Sequence, residues 1–447
     1  MINKNIADRV FKIAFILFIT VNLAEWNIPE LSSLDIIPFF DFSGIPFLKF
    51  PAVLFFALLI IPLKEFISTM KDRKFLILII PIILLLTAGY ISASLSEFSG
   101  KAFNVINRIS FYFVIFLICY TAAGYFQNTG VFILKSFIFV NAIVIIISIL
   151  EFYIPAVYGI LVKYFNRPEL IHSYIEINGE KIMRPMGILT DSNLTAFSTG
   201  LALMILLLNY RHFNKYFRYS YYIASSFVSG MLISRASLIM CIICLAVFIL
   251  FKLAEKREMI LFISIFIVFQ IVTPQTYGRI FSYFKDEKIK EEFSAGRPVI
   301  WKAAFTVFRE NPVTGVGPGV FFEISDKYIR DILKENKNLN IDNPSGENYH
   351  QIDKLNPHNI FLVVLSETGI SGFIFFMILI LFLLRGYIKD KKYISLMFFL
   401  CILFVSSLSN FAPYYKFYLI ICIVFYIISD FNIRINQNVP KITSHAR

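Results

Sequence analysis

Residues 131–153, VFILKSFIFVNAIVIIISILEFY, decide the fold. A run of about twenty mainly apolar residues, with no amphipathic stripe, crosses a bilayer as a helix. Hydrocarbon offers the backbone no partners, so the segment must satisfy its own N–H and C=O groups. Runs of this kind recur along a chain that is 57% hydrophobic. They place spans at roughly 10–24, 45–63, 75–95, 105–125, 131–153, 194–210, 219–234, 236–254, 259–277, 358–384, 393–411 and 415–431. The fold class is therefore all-α, a polytopic membrane bundle of about twelve transmembrane helices. Lys4, Arg9 and Lys12 before the first run suggest a signal peptide, but Asn27-Ile28-Pro29-Glu30 lacks a small-residue cleavage site, so the run reads as a span.

Short basic loops stay cytoplasmic, which orients the bundle. With both termini cytoplasmic, the inside segments hold Lys64 to Lys74, Arg211, Lys215, Arg218, Lys252, Lys256, Arg257, Arg385, Lys389, Lys391, Lys392 and the tail with Arg434, Lys441 and Arg447. About twenty basic residues then lie inside and about two in short outside loops. The loop after the first span is acidic instead, with Glu25, Glu30, Asp35 and Asp41. The net charge of +12 is this bias rather than a nucleic-acid surface. Cys119, Cys241, Cys244, Cys401 and Cys422 all lie in apolar runs, and Cys241-x-x-Cys244 has no second ligand pair, so neither metal nor redox chemistry is expected from them.

The expected organisation is a membrane region over 1–277 with nine spans and an extracytoplasmic loop at about 155–193, a long extracytoplasmic loop over 278–357, three spans over 358–431, and a cytoplasmic tail over 432–447. Both long loops fall on the same side. In the second, Gly296-Arg297-Pro298 reads as a helix start, with Val299, Ile300, Ala303, Ala304, Val307 and Phe308 at helical spacing until Asn311-Pro312. A second amphipathic stretch at about 320–336 carries Phe321, Ile324, Tyr328, Ile329, Ile332 and Leu333. Lying at the membrane interface, the two would roof a cavity over the spans. The polar tract 336–349 reads as a loop tip. Gly315-Val316-Gly317-Pro318-Gly319 is a tight turn between these helices, since no strand precedes it and no Gly-Lys-Ser/Thr follows, as a nucleotide loop requires.

Ionisable groups at a membrane face are expensive unless paired or functional. Arg184, Arg235, Arg297 and His358 come from distant parts of the chain to the outer face, and Arg108 near the outer end of the fourth span is a fifth candidate. Arginine's planar fork of donors suits phosphate, whereas singly each arginine also fits an interfacial or salt-bridge role. His358 suits a general base on a sugar hydroxyl or a donor to phosphate, and equally an interfacial histidine beside a helix-capping Asn359. No carboxylate-histidine motif surrounds His350 or His358, so a metal is not expected. Glu367, within Glu367-Thr368-Gly369-Ile370-Ser371-Gly372, suits either catalysis or a structural hydrogen bond, with the glycines admitting a neighbouring helix.

Gly296-Arg297-Pro298-Val299-Ile300-Trp301, the stretch Asn311 to Gly319, Pro357-His358-Asn359-Ile360-Phe361 and Glu367 to Gly372 resemble the O-antigen ligase and O-antigen polymerase superfamily. Arg184-Pro185-Met186-Gly187, Asp191-Ser192-Asn193 and Ser234-Arg235-Ala236-Ser237-Leu238 match upstream in the same order. The resemblance implies a bacterial inner-membrane glycosyltransferase, glycosyltransferase-C-like, metal-independent and without cofactor, acting on undecaprenyl-diphosphate-linked oligosaccharide at the periplasmic face. It implies Arg184, Arg235 and Arg297 as diphosphate contacts and His358 as the catalytic or acceptor-orienting group, with Asn359, Glu367 and Arg108 in support. The acceptor is the next lipid-linked repeat unit in a polymerase or lipid A-core in a ligase, and a chain-length regulator protein is a possible partner. A lipid-linked oligosaccharide flippase also suits twelve spans, although it would place charge near the bilayer midplane.

Overall fold

The computed structural model describes residues 3–24, 57, 60–126, 129–164, 174–177, 180–183, 185, 187, 192–208, 212–232, 256–272, 287–335, 357 and 359–389. Most of the expected second span, the spans at 236–254, 393–411 and 415–431, the polar tract 336–349, the cytoplasmic tail, and the side chains of Arg184, Arg235, Arg297 and His358 lie outside the described residues.

The described helices are α1 Lys4–Ala24, α2 Leu63–Lys71, α3 Arg73–Leu95, α4 Ser99–Tyr125, α5 Thr129–Tyr153, α6 Pro155–Tyr164, α7 Ser192–Leu208, α8 Lys215–Leu232, α9 Lys256–Val272, α10 Glu287–Glu310, α11 Phe321–Glu335 and α12 Ile360–Lys389. The protein is thus a helical membrane protein, and among the described residues three helices, within Ser99–Tyr125, Val131–Tyr153 and Ile360–Arg385, are long and apolar enough to cross a bilayer. At 1.5 Å per residue the 27-residue α4 reaches about 40 Å, more than the roughly 30 Å of hydrocarbon. Large apolar side chains point outward, among them Ile80, Ile83 and Leu84 on α3, Phe139 and Ile146 on α5, and Ile374 and Leu381 on α12. A surface of that kind suits lipid as solvent.

The interior holds what the outside does not. Asn141 on α5, Ser198 on α7 and Tyr221 on α8 are buried together. The Tyr221 hydroxyl donates to Asn141 Oδ1 at 2.6 Å, and Asn141 Nδ2 donates to Ser198 Oγ at 2.6 Å. Lipid offers polar groups no alternative partner, so these bonds hold the three helices in register. Elsewhere α12 packs on α3, α3 on α4, and α10 on both α11 and α12.

The structure revises several expectations. The first long loop carries secondary structure among its described residues: α6 begins with Pro155 at its first position, and β1 Tyr174–Ile177 pairs antiparallel with β2 Glu180–Met183, Tyr174 opposite Met183. Asn178-Gly179 joins the strands, a hairpin signal that overrides a purely α description locally. Pro298 does not start its helix. It lies inside α10, which begins eleven residues earlier in a Glu- and Lys-rich stretch of strong helix formers, so the proline forgoes one ladder bond without ending the helix. Gly369 admits a loop rather than a helix and breaks α12 with φ 65° and ψ −166°, whereas Gly372 faces Thr368 of its own helix.

Candidate active site

A break in a membrane helix frees backbone groups that hydrocarbon cannot satisfy, so something must enter to pair with them. Here the entrant is the turn after α10. Val316 N–H donates to Ser366 O at 3.1 Å and Gly317 N–H to Glu367 O at 2.9 Å, while Ile370 N–H donates to Pro312 O at 2.8 Å. The Ser371 hydroxyl donates to Val313 O at 2.9 Å. From α3, the Ser92 hydroxyl donates to Glu367 O at 2.7 Å, and the Ser96 hydroxyl, just past its end, to Val316 O at 2.5 Å. The turn therefore joins α3, α10, α11 and α12 at one point. Its conformation needs glycine at Gly315 and Gly317, where φ is +69° and +111°. A Cβ on Gly315 would lie 2.4 Å from the Glu367 carbonyl carbon.

The helices on either side of the turn bury a shared apolar face. Val299, Ile300, Ala303, Ala304 and Val307 of α10 meet Phe321, Ile329 and Ile332 of α11, with Leu362 of α12 against them. α11 is also tied to the first turn of α4 through the Lys101–Glu323 ion pair. The Tyr328 hydroxyl donates to Glu310 at 2.5 Å. Loss of water, together with the Glu310 and Glu97 carboxylates, pushes the Tyr328 hydroxyl up to about 12, so it remains a donor at any physiological pH.

This scaffold brings two of the sequence candidates' segments together. Trp301 Nε1 of α10 donates to Pro357 O at 2.7 Å. Arg297 is four residues before Trp301 in the same helix, and Pro357 immediately precedes His358. On the other side of His358, Asn359 Oδ1 accepts from Phe361 N–H at 3.0 Å and Leu362 N–H at 3.3 Å. Asn359 is thus the cap of α12, and both neighbours of His358 are anchored. Glu367 is 3% exposed at the helix break. Arg108 sits on α4, nearly one turn beyond Val105, whose side chain meets Gly319. Arg184 is flanked by the end of β2 and by the buried Pro185 and Gly187, and α8 ends at Leu232, three residues before Arg235.

Trp301, Ser92 and Ser96 carry these joints and no sequence motif marks them as partners. Trp301→Phe keeps the ring and removes the donor. It is expected to lower activity at this site by about tenfold, since a small misplacement of a reacting group costs at least that much, with membrane abundance unchanged by immunoblot. Asn359→Ala is expected to cost about 1 kcal/mol of stability, read as a lowered midpoint in detergent thermal unfolding.

Residues 220–377 match the family model described as O-Antigen ligase, a stretch holding Arg235, Arg297 and His358, with Arg184 upstream of it. A comparison with curated proteins gives no match.

Proposed function

We propose that this chain, whose residues 220–377 match the O-antigen ligase family model, is a polymerase-type glycosyltransferase of the bacterial inner membrane. It moves an undecaprenyl-diphosphate-linked glycan onto a sugar hydroxyl of the next lipid-linked repeat unit at the periplasmic face. The observation that carries this reading is the Trp301–Pro357 hydrogen bond, which joins the helix of Arg297 to the residue before His358.

A glycosyl diphosphate is already activated, so the enzyme has to position an acceptor hydroxyl and stabilise the departing charge. The acceptor oxygen bonds to the anomeric carbon as the bond from that carbon to the phosphate oxygen breaks, with inversion. The electron pair leaves on the diphosphate, where Arg184, Arg235 and Arg297 meet it with fixed positive charge. His358 takes the hydroxyl proton or orients the acceptor, and the Asn359 cap fixes the start of the helix that follows it. Arg108 and Glu367 support the site. Twelve spans, cytoplasmic termini and the loops at about 155–193 and 278–357 on the outer side complete the arrangement. A chain-length regulator is a fitting partner for such a polymerase.

A ligase, with lipid A-core as acceptor, is the second reading, and it is the activity that the matching family model's description names. Deleting the gene and resolving lipopolysaccharide on a gel separates the two. Caps of a single repeat support the polymerase. Full-length glycan left on undecaprenyl diphosphate overturns it in favour of the ligase, and an unchanged pattern overturns both.

A further inference from the structure

The joint at the α12 break stands at one height in three helices. Ser92 lies nineteen residues after Arg73, the first residue of α3, and its partner Glu367 eighteen residues before Arg385 on α12. Val105 of α4, against which Gly319 is pressed, lies twenty residues before Tyr125, whose ring carries the Lys4 ammonium. At 1.5 Å per residue these stretches measure about 28, 27 and 30 Å, close to the thickness of the hydrocarbon. The basic ends thus mark one edge of the bilayer and the joint marks the other. The surface of α12 agrees: among the described residues its exposed large apolar side chains, Ile370, Ile374, Leu381, Phe382 and Ile388, all follow Gly369.

The stretch between the break and the Trp301–Pro357 hydrogen bond therefore rises out of the membrane. From Gly369 back to Asn359 is ten residues, about 15 Å, and α10 packs beside it, from Trp301 at Pro357 to the turn at Ile370. Headgroups extend only about 5–8 Å beyond the hydrocarbon on each side. A diphosphate that meets the site proposed beside Pro357 is thus lifted above the headgroups, and the first isoprene units of its lipid are drawn out of the hydrocarbon with it. Apolar surface in water is unfavourable roughly in proportion to its area, so the rise needs apolar cover. Among the described residues from Pro298 to Gly369, the exposed large apolar side chains are Phe305, at 50%, and Val313, at 63%. Both lie on the rise. Val313 is at the break, where its carbonyl accepts from the Ser371 hydroxyl, and Phe305 is four residues past Trp301, its ring centroid 5.9 Å from that of Phe308. Ile370, whose N–H bonds Pro312 O, carries this surface on to the lipid-facing side of α12. Resting on the reading of a polyprenyl-diphosphate donor, we propose that Ile370, Val313, Phe308 and Phe305 form an apolar ramp that carries the first isoprene units of that donor from the bilayer edge to the site.

The test uses the full chain in detergent with two probes, undecaprenyl diphosphate and inorganic diphosphate. The Phe305→Ala/Val313→Ser pair should weaken binding of the first about tenfold, since part of a phenylalanine's burial is worth that much, and leave binding of the second unchanged. A photoreactive group on the first isoprene unit of undecaprenyl diphosphate should label the peptide holding Phe305 to Val313. Should the pair fail to accumulate, Phe305→Ala alone carries the same expectation at about threefold. Undecaprenyl diphosphate bound as tightly as by wild type, or weakened together with inorganic diphosphate, would overturn the ramp. Labelling suppressed by an equal concentration of phosphatidylglycerol would overturn it too, as the mark of a face wetted by bulk lipid, and a fall in oligomeric state in the variants would assign the patch to a second copy of the chain. A wild-type protein that does not bind undecaprenyl diphosphate sinks the donor reading itself.

Discussion

Gly369→Ala and Gly315→Ala are each expected to remove more than about 3 kcal/mol of stability, enough to deplete the protein from the membrane. Gly369 has φ 65° and ψ −166°, a region of backbone space open essentially to glycine alone. A Cβ there would lie 2.4 Å from Val313 O, and one on Gly315 2.4 Å from the Glu367 carbonyl carbon. All of these neighbours are backbone, so no rotamer change relieves the clash. The turn must withdraw from the break, and the groups of Ser366, Glu367, Ile370 and Ser371 that it satisfies lose their partners in a medium that supplies none. Gly124→Ala in α4 is the control: nothing lies within 4 Å of its added Cβ, and alanine favours the helix. Detergent unfolding midpoints and membrane abundance read the contrast, and a Gly369→Ala protein as stable as wild type would contradict the account.

Arg297→Ala and Arg235→Ala should each lower glycan transfer more than about a hundredfold while the protein remains inserted and abundant, because each removes charge that matters most in the transition state. His358→Ala should lower turnover more than donor affinity. The assay is transfer by purified protein in detergent, where no compartments exist and transport alone gives no signal. Retained activity in both arginine variants would remove the diphosphate assignment, and unchanged turnover in His358→Ala would remove the base.

How much of this was legible in the sequence depended on the range of the interaction. Apolar runs are local, so α3, α4, α5 and α12 follow from composition alone, and α11 agrees closely with the amphipathic stretch that predicts it. Local turn chemistry was also legible in principle: Asn178-Gly179 between Tyr174-Ile175-Glu176-Ile177 and Glu180-Lys181-Ile182-Met183 spells a hairpin that a search for long runs passes over. Asn359 was readable as a cap, and the structure bears that out. What could not be read was pairing at a distance. An indole and a carbonyl 56 residues apart have no sequence signature as a pair, nor do Ser92 and the Glu367 carbonyl, or Glu151 and Gly187. Gly369 was visible as a small residue, but its break depends on the partner that fills it.

The turn seated in α12 also sets an order of events during synthesis. Its partners on α3 leave the ribosome before it and those on α12 after it, so its backbone stays partly unpaired until the later helix enters the bilayer. Until then the turn and α11 are held only by the earlier α3 and α4, through Ser96 and Lys101. The joint is therefore completed last at Ser366 to Ser371, and a chain cut short before Ser366 would hold the earlier spans without the break that seats the turn.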